Sequence, residues 1–352
     1  MGKFVKQHIK DLERVRMSQD RIDSLRLDMN ENPEGLPQEF FDKVMGQITP
    51  AMLAMYPEPD RLASILAEDN GVDPCNIFIS NGSDEAIKSI FEVFSKEGSK
   101  FVSVYPTFEM YMVYARMFNL QTEIVDYADD FTLNPGKIIE AIDDNTSIVT
   151  LLNPNNPIGT IYTEIEVRSI VEKAQEKGAI VIIDEAYHYF HKDTYAHLIK
   201  EYDNIVVTRT FSKLCSIAGV RIGYAIGSEE IISYLEKIRQ TFNVNTIALL
   251  FAEAIMQEEG LIDELVATEL EGRNYILQKM EESGREVYAE NGNYVFIKCK
   301  TSVDEVFDKL LAQKVLVKKY SIPMFKDYIR ISTGSRQAME EFWDKFDAAD
   351  RP

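Results

Sequence analysis

Short apolar runs alternate with longer amphipathic segments over the first two thirds of the chain. Nearly continuous apolar runs of this kind, separated by helical patterns, are typical of a mostly parallel sheet with helices on both faces. The pattern therefore predicts an α/β core in a large domain that spans residues 35–245. Six runs are predicted strands: NIFIS (76–80), KFVSVY (100–105), SIVTLLN (147–153), AIVIIDEAY (179–187), NIVVTRTFS (204–212) and RIGYAIG (221–227).

The pattern changes after about residue 245. Long helix-forming stretches come first, and short strands follow in NYVFIKC and YIRISTG. This order is typical of a smaller α+β domain. We expect residues 246–352 and the N-terminal segment 1–34 to form that domain together.

Composition narrows the function classes. The chain has 352 residues, which favours two domains, and a net charge of −20, which argues against a nucleic-acid partner because phosphate binding needs a basic surface. No apolar run approaches the length of a membrane span, and the N-terminus lacks the apolar stretch of a secretion signal. The three cysteines lie far apart and form no CxxC pair, so a cytoplasmic location is expected, with neither disulfides nor a zinc site.

The residues that follow each predicted strand are the candidates for chemistry, because open α/β sheets bind ligands beyond the carboxyl ends of their strands. After IFIS, Gly82 permits a tight turn, and Ser83 and Asp84 begin a helix whose backbone amides suit a phosphate. The alternative is an ordinary N-capped helix. After SIVTLL, the segment NPNNPIGT forms an irregular loop that displays amide side chains.

Two later strand ends add charged groups. Asp184 ends a strongly apolar strand, where a carboxylate needs a cationic partner, and Tyr187 adds a hydroxyl three residues later. The segment TRTFSK brings together Thr210, Ser212 and Lys213, and Arg221 follows in GVRIGY. Hydroxyls and a guanidinium are typical phosphate ligands.

This set of groups matches the needs of pyridoxal 5′-phosphate. A lysine forms an imine with the aldehyde, and an acidic residue keeps the pyridine nitrogen protonated so that the ring accepts electrons. His188 and His191 lie close to Asp184 and Glu185, but they lack a standard metal-ligand spacing, so no metal is expected.

The motifs NPNNPxGT, DEAY, TFSK and AGVRIGY stand in this order in the sequence. With them the chain resembles the class I/II aminotransferases of the aspartate aminotransferase fold (fold type I), and within them most closely the histidinol-phosphate aminotransferases. The resemblance runs from NENP to IRISTG, which is nearly the whole chain. It implies a large domain that binds pyridoxal 5′-phosphate and a homodimer with shared active sites.

The resemblance also assigns roles around the cofactor ring. It implies that Lys213 forms the Schiff base and shuttles the proton, and that Asp184 pairs with the pyridine nitrogen. Asn156 and Tyr187 are expected to hydrogen-bond the ring hydroxyl oxygen, and Phe108 is expected to stack on the ring. The implied phosphate contacts are the backbone amides of Ser83 and Asp84, the side chains of Thr210 or Ser212 and of Arg221, and Tyr56 from the neighbouring subunit.

For the substrate, the resemblance implies that Arg330 binds a carboxylate or an equivalent anion. Asn30 and Asn293 are further candidates for the pocket wall. Lys318 stands where histidinol-phosphate aminotransferases typically carry an arginine, and Ile158 replaces a common threonine. These departures leave the cofactor residues in place and change the substrate side.

The leading hypothesis is an aminotransferase that moves an amino group between L-glutamate and a small phosphorylated or otherwise anionic keto compound. One alternative keeps the cofactor but decarboxylates a phosphorylated amino acid, similar to threonine- or serine-phosphate decarboxylases. Another is a non-catalytic relative that binds pyridoxal phosphate or serves as a regulatory domain. His188 is interpreted as a packing residue, with a substrate contact as its alternative.

Overall fold

The computed structural model describes residues 4–12, 21–191 and 193–351. Residues 1–3 and 13–20 of the predicted N-terminal segment therefore lie outside the described residues. The strands are β1 (Leu25–Arg26), β2 (Ile77–Ser80), β3 (Lys100–Tyr105), β4 (Gln121–Asp126), β5 (Thr146–Leu152), β6 (Ile180–Asp184), β7 (Ile205–Thr210), β8 (Gly223–Gly227), β9 (Val287–Tyr288), β10 (Tyr294–Lys298), β11 (Val315–Leu316), β12 (Lys318–Lys319) and β13 (Tyr328–Ser332). The helices are α1 (Gln7–Lys10), α2 (Gln38–Met45), α3 (Pro50–Ala54), α4 (Asp60–Asn70), α5 (Ser83–Phe94), α6 (Met110–Met117), α7 (Pro135–Ala141), α8 (Glu164–Glu176), α9 (Glu229–Ile238), α10 (Thr246–Gln257), α11 (Leu261–Glu282), α12 (Val303–Ala312) and α13 (Arg336–Ala349).

The main sheet has seven strands in the order β2-β8-β7-β6-β5-β3-β4. Only β8 runs antiparallel to its neighbours, so the predicted mostly parallel α/β sheet is confirmed. Strand β4 was not predicted. Its sequence QTEIVD lies at the edge of the sheet and only Val125 is buried, so it carries no continuous apolar run.

Helices cover the sheet because their apolar residues recur on one face. Helix α8 is an example: Thr163 and Glu166 cap its start reciprocally, and Val167, Ile170 and Val171 then recur on the face that is buried against the sheet. Such packing fixes the strand ends, and it therefore fixes the loops that follow them.

A second core forms around the four-stranded sheet β12-β13-β10-β9. Helix α11 spans both cores, since Leu261 and Leu265 pack with the main sheet while Ile276 and Met280 pack with the smaller one. Helix α10, which the sequence pattern assigns to the smaller domain, packs on α4 and into the larger core. The division at residue 245 stays a prediction, and the change of core falls within α11.

Strand β1 ties the N-terminal segment to the smaller sheet region. It pairs in parallel with β11, and the backbone amide of Ser332 donates a hydrogen bond to the carbonyl of Leu27. This pairing brings residues 28–30 to the cavity described below. In the part of the chain that the structure describes, none of the helices is long and apolar enough to cross a membrane.

Candidate active site

A cavity of about 480 Å³ lies beyond the carboxyl ends of β5, β6 and β7, between the main sheet and the smaller sheet. Its position agrees with the general rule for ligand sites in open α/β sheets. Most of the predicted site residues line it: Asn30, Ser83, Asp84, Phe108, Asn156, Asp184, Tyr187, Thr210, Ser212, Lys213, Arg221, Lys318 and Arg330.

Lys213 presents an amine to this cavity. It lies three residues after the end of strand β7, and its side chain is half-buried. Its Nζ donates a hydrogen bond to the carbonyl oxygen of Met29 at 2.9 Å. Burial, together with the positive charge of Arg330, lowers the pKa of Lys213 to about 8. A larger fraction of the neutral, nucleophilic amine is therefore present near neutral pH than for an exposed lysine.

This lowered pKa predicts a pH dependence for the ligand-free protein. Because only the neutral amine attacks an aldehyde, the rate of covalent incorporation of pyridoxal phosphate should rise with pH and be half-maximal near pH 8. Stopped-flow absorption over a pH series measures that rate. A rate that keeps rising toward the usual lysine pKa of about 10.4 would contradict the prediction.

Asp184 lies at the end of β6 with its carboxylate beneath the cavity. It is 2% exposed; its Oδ2 accepts a hydrogen bond from the Tyr111 hydroxyl at 2.6 Å, and its Oδ1 accepts one from the Ala186 amide at 3.1 Å. Burial raises the pKa of Asp184 to about 6, while the Tyr111 hydrogen bond opposes that rise. The carboxylate thus has donors on both oxygens, and no cation among the described residues is bonded to it directly.

Tyr187 lies on the wall of the cavity with its hydroxyl accepting a hydrogen bond from the Asn30 side-chain amide at 2.9 Å. Burial raises the pKa of Tyr187, so the phenol stays protonated and remains able to donate. Asn30 adopts a left-handed backbone conformation with a φ of 57°, and its carbonyl accepts from the side chain of Asn293. Asn293 lies behind the wall and does not line the cavity.

The start of α5 forms one end of the cavity. Ser83 and Asp84 are its first two residues, and Gly82 precedes them with a φ of 79°. Gly223, at the start of β8, packs so closely that an added Cβ would lie 2.5 Å from the Ser83 amide nitrogen. These two glycines let the backbone amides and the helix dipole approach a small anion.

Three side chains complete this end. Thr210 donates a hydrogen bond from its hydroxyl to Ser212 Oγ at 2.9 Å, and the Arg221 guanidinium reaches toward the same hydroxyl at 3.5 Å. Arg221 has a φ of 60°, an uncommon conformation for a residue other than glycine and one that often marks a functional position. Hydroxyls, a guanidinium and a helix N-terminus together form a phosphate-binding set.

The close contact at Gly82 gives a second prediction. Substitution Gly82→Ala would place a Cβ 2.5 Å from Arg221 Nη2 and so displace the guanidinium, and we expect pyridoxal phosphate to bind about tenfold more weakly. Equilibrium titration of the ligand-free protein measures this affinity. Gly98→Ala is the matched control, because Gly98 has a similar φ of 77° but nothing within 4 Å of an added Cβ. Equal losses of affinity in both variants would contradict the prediction.

Arg330 lies on β13 and lines the same cavity. Its Nη1 donates to Asn156 Oδ1 at 3.0 Å and to the Tyr320 hydroxyl at 2.9 Å, and its Nη2 donates to the carbonyl oxygen of Asp28 at 2.5 Å. The guanidinium is therefore held firmly in one orientation. Its Nε is buried and has no hydrogen-bond partner among the described residues.

Lys318 pairs with Arg330 across the antiparallel strands β12 and β13. Its side chain is half-buried, and its Nζ lies 5.7 Å from the centre of the Tyr320 ring. The cavity therefore has two cations on the side of the smaller sheet. Asn156, expected from the resemblance to contact the cofactor ring, also orients Arg330 here.

The remaining predicted residues lie in different surroundings. Phe108 is half-buried on the cavity wall and packs edge-on against Tyr111, with ring centres 5.5 Å apart. Tyr56 does not line the cavity of its own chain; it is 75% exposed and stacks on Phe242. His188 does not line the cavity either, and its Nδ1 lies 3.0 Å from the carbonyl oxygen of Glu185.

Sequence reasoning missed two residues of this site. Tyr111 and Tyr320 hydrogen-bond the side chains of Asp184 and Arg330, respectively. Tyr111 follows Phe108 by three residues, and this closeness in sequence to a predicted site residue was the only signal for it. Tyr320 lies two residues after Lys318, and side chains at this spacing lie on the same face of a strand. This was the only sequence pattern that pointed to Tyr320 as a site residue.

The residues present fit pyridoxal phosphate. The glycine cradle at the start of α5 suits its phosphate, the buried carboxylate of Asp184 suits its pyridine nitrogen, and the amine of Lys213 suits its aldehyde. In the described residues no group of three or more histidine, cysteine, aspartate or glutamate side chains is arranged to hold a metal ion.

Comparison with known proteins identifies the family of the chain. The family described as aminotransferase class I and II matches residues 25–346. Histidinol-phosphate aminotransferase of Clostridium novyi (strain NT) is 32% identical over 317 residues, which cover 89% of this chain and 88% of that protein. The enzyme of the same name from Methanocaldococcus jannaschii is 30% identical over 331 residues, covering 91% and 87%.

A solved structure shows the same fold. Histidinol-phosphate aminotransferase from Sinorhizobium meliloti, in complex with pyridoxal-5′-phosphate, superposes with a TM-score of 0.88 at 22% identity and covers 99% of this chain and 98% of that one. Aspartate aminotransferase from Thermus thermophilus with maleate superposes with a TM-score of 0.78 at 19% identity, over 93% and 92% of the two chains. The predicted fold is confirmed.

Proposed function

The chain belongs to the class I and II aminotransferase family and is an aminotransferase that depends on pyridoxal phosphate, and from this premise we propose that it moves an amino group between L-glutamate and a small phosphorylated or otherwise anionic keto compound. Among such compounds, the names of its relatives favour the substrate of histidinol-phosphate aminotransferases.

The observation that carries the anionic substrate is the Arg330 guanidinium, which lines the cavity. Its Nη1 makes two hydrogen bonds and its Nη2 makes one with the described residues, so one N–H of Nη2 stays available to an anionic group. Three neighbouring oxygens, from Asn156, Tyr320 and Asp28, hold the guanidinium so that it need not reorganise on binding. Lys318 adds a second cation on the adjacent strand, which favours an acceptor with more than one negative charge.

Around the cofactor we propose the following division of roles. When bound, pyridoxal phosphate supplies an aldehyde that takes up the amino group and a ring that accepts electrons. Lys213 holds the aldehyde end and carries the proton from the substrate Cα, because its amine reaches the cavity with a pKa of about 8. Asp184 pairs with the pyridine nitrogen, and Tyr187 donates to the ring hydroxyl oxygen.

The same proposal covers the phosphate and the ring face. The amides of Ser83 and Asp84 and the side chains of Thr210, Ser212 and Arg221 bind the phosphate. Phe108 packs on the ring, and Asn156 and Asn30 line the pocket beside it. Asn293 supports Asn30 from behind and makes no direct contact.

We further propose a homodimer in which Tyr56 reaches the neighbouring cofactor phosphate. Tyr56 is 75% exposed and lies among other exposed apolar side chains, including Leu53, Met55 and Phe242, as expected for a surface that a second copy covers. The three cysteines are free, which suits the reducing conditions of the cytoplasm, where we place the protein.

The decarboxylase alternative receives no support from the relatives described above, which are named as aminotransferases. A visible absorption spectrum before and after L-glutamate tests the reaction. The proposal expects the aldehyde-form band to be replaced by that of the amine form.

A screen of keto acceptors, with imidazole acetol phosphate beside unphosphorylated keto acids, then tests the substrate. Faster turnover with the unphosphorylated acids would contradict a histidinol-phosphate aminotransferase substrate and leave an anionic acceptor of another kind. Carbon dioxide release from phosphothreonine would revive the decarboxylase alternative.

A further inference from the structure

We propose that Tyr111 is a positioning residue that holds the Asp184 carboxylate ionised and aimed at the pyridine nitrogen of the cofactor. The inference rests on cofactor binding and is independent of which substrate the enzyme uses. It concerns a residue of helix α6 that lies behind the carboxylate and is not among those that line the cavity.

The geometry gives Asp184 one donor for each oxygen. The Tyr111 hydroxyl donates to Oδ2 at 2.6 Å, and the Ala186 amide donates to Oδ1 at 3.1 Å. Tyr111 is 0% exposed and Asp184 is 2% exposed, so water does not compete for either contact. Short hydrogen bonds from a phenol to a buried carboxylate are among the stronger ones in proteins.

The direction of this hydrogen bond is fixed by the surroundings. Burial and the negative charge of Asp184 hold the pKa of Tyr111 well above its usual value, so the phenol remains the donor at every working pH. Burial alone would favour a neutral Asp184, and the Tyr111 hydrogen bond is the largest contribution that opposes it. Without the phenol, the protonated carboxyl would be favoured near neutral pH and would attract the pyridine nitrogen less.

The other charged or titratable groups near this pair do not replace that donor. Lys213 favours the ionised carboxylate through its charge, but its Nζ bonds the carbonyl oxygen of Met29 instead. Tyr187 and Tyr162 are the remaining titratable neighbours of Tyr111, and burial raises the pKa of both. Both therefore stay neutral while Asp184 titrates.

The test uses Tyr111→Phe and pyridoxamine 5′-phosphate, which binds without a covalent link to Lys213. We expect the variant to bind this ligand about tenfold to a hundredfold more weakly at pH 7. The ratio of its dissociation constant to that of the unsubstituted protein should grow as pH falls from 8 to 6. Titration of the ligand-free protein by absorption gives the affinities. No amino donor or acceptor is present, so a wrong substrate assignment would leave this result unaffected.

A double-mutant cycle separates positioning from a general loss of packing. In an Asp184→Asn background the phenol has no carboxylate to hold, so Tyr111→Phe should change the affinity by less than about twofold. Tyr195→Phe is the control, because its phenol is also buried and bonds a backbone carbonyl, that of Tyr162. An equal loss in both backgrounds, or a ratio independent of pH, would overturn the proposal.

A second substitution keeps the proposal testable if Tyr111→Phe folds poorly. Replacing Tyr111 with 3-fluorotyrosine retains the ring and gives a more acidic phenol, which is a stronger donor to Asp184. Pyridoxamine phosphate should then bind at least as tightly as to the unsubstituted protein, with the largest gain at the lowest pH. Weaker binding at low pH would overturn the proposal.

Discussion

Lys213→Ala is expected to lower the rate of amino transfer by at least about 10⁴-fold while leaving the fold intact. The substitution removes the only side-chain amine that lies beside Asp184 and Tyr187 in the cavity, among the described residues. It therefore removes the proposed aldehyde anchor and proton carrier together. Because the side chain is half-buried and borders the cavity, its truncation opens no void in the packed core. The effect is measured as the rate at which glutamate converts the aldehyde form to the amine form, monitored through the loss of the aldehyde-form absorption band.

Two companion variants make this result interpretable. Lys213→Arg keeps a positive charge but has no amine that forms an imine, so it should be as inactive as the alanine variant. Lys177→Ala removes a lysine that pairs with Asp144 on the surface and should leave the rate unchanged within about twofold. Activity of Lys213→Ala within about tenfold of normal would contradict the proposed role of this lysine.

Much of the sheet could be predicted from sequence because its central strands are buried on both faces. Strands β5, β6 and β7 carry almost only buried residues, and such runs differ clearly from helical patterns. Edge strand β4 was missed for the opposite reason, since five of its six residues are at least partly exposed and form no apolar run. Helix α10 is a related case. Its strongly apolar sequence predicts that the helix is buried, but it does not predict which of the two cores the helix joins.

The candidate site was predictable where charged side chains lie at or near the end of an apolar strand. Asp184 is the last residue of β6, Lys213 lies three residues after β7, and Arg221 lies two residues before β8. The topology therefore brings all three to one edge of the sheet. Tyr111 and Tyr320 were missed because their roles depend on contacts with residues 73 and 10 positions away. No local pattern carries the information that a particular tyrosine will reach a particular carboxylate or guanidinium.

Two residues of the cavity wall have a strained backbone conformation. Asn30 and Arg221 both have left-handed φ values, an uncommon conformation that costs about 1 kcal/mol or more for residues other than glycine. The first positions the amide that reaches Tyr187, and the second brings a guanidinium beside the phosphate end. The surrounding fold therefore stabilises strained residues at the points where ligand contacts are proposed.

Arg330→Gln is expected to lower kcat/KM for both the amino donor and the keto acceptor by about 10²–10³-fold, mostly through KM. Glutamine is similar in length but offers neither the charge nor the fork of donors that an anionic substrate accepts from. Arg330→Lys keeps the charge and loses the fork, so its loss should be smaller but still about tenfold or more. Steady-state kinetics with both substrates measures these values, and an unchanged KM in Arg330→Gln would contradict the proposed role.

A pH series separates substrate binding from the electrostatic effect of Arg330 on Lys213. The positive charge of Arg330 lowers the pKa of Lys213, so its removal in Arg330→Gln should move that pKa above about 8 and shift the pH dependence of cofactor incorporation in the same direction. Arg330→Lys should leave that pH dependence nearly unchanged, because the charge remains. If Arg330→Gln loses substrate affinity without shifting the pH dependence, the guanidinium binds substrate but does not tune the lysine. If the pH dependence shifts and KM stays the same, the charge acts only through Lys213, and the anionic substrate must be bound elsewhere in the cavity.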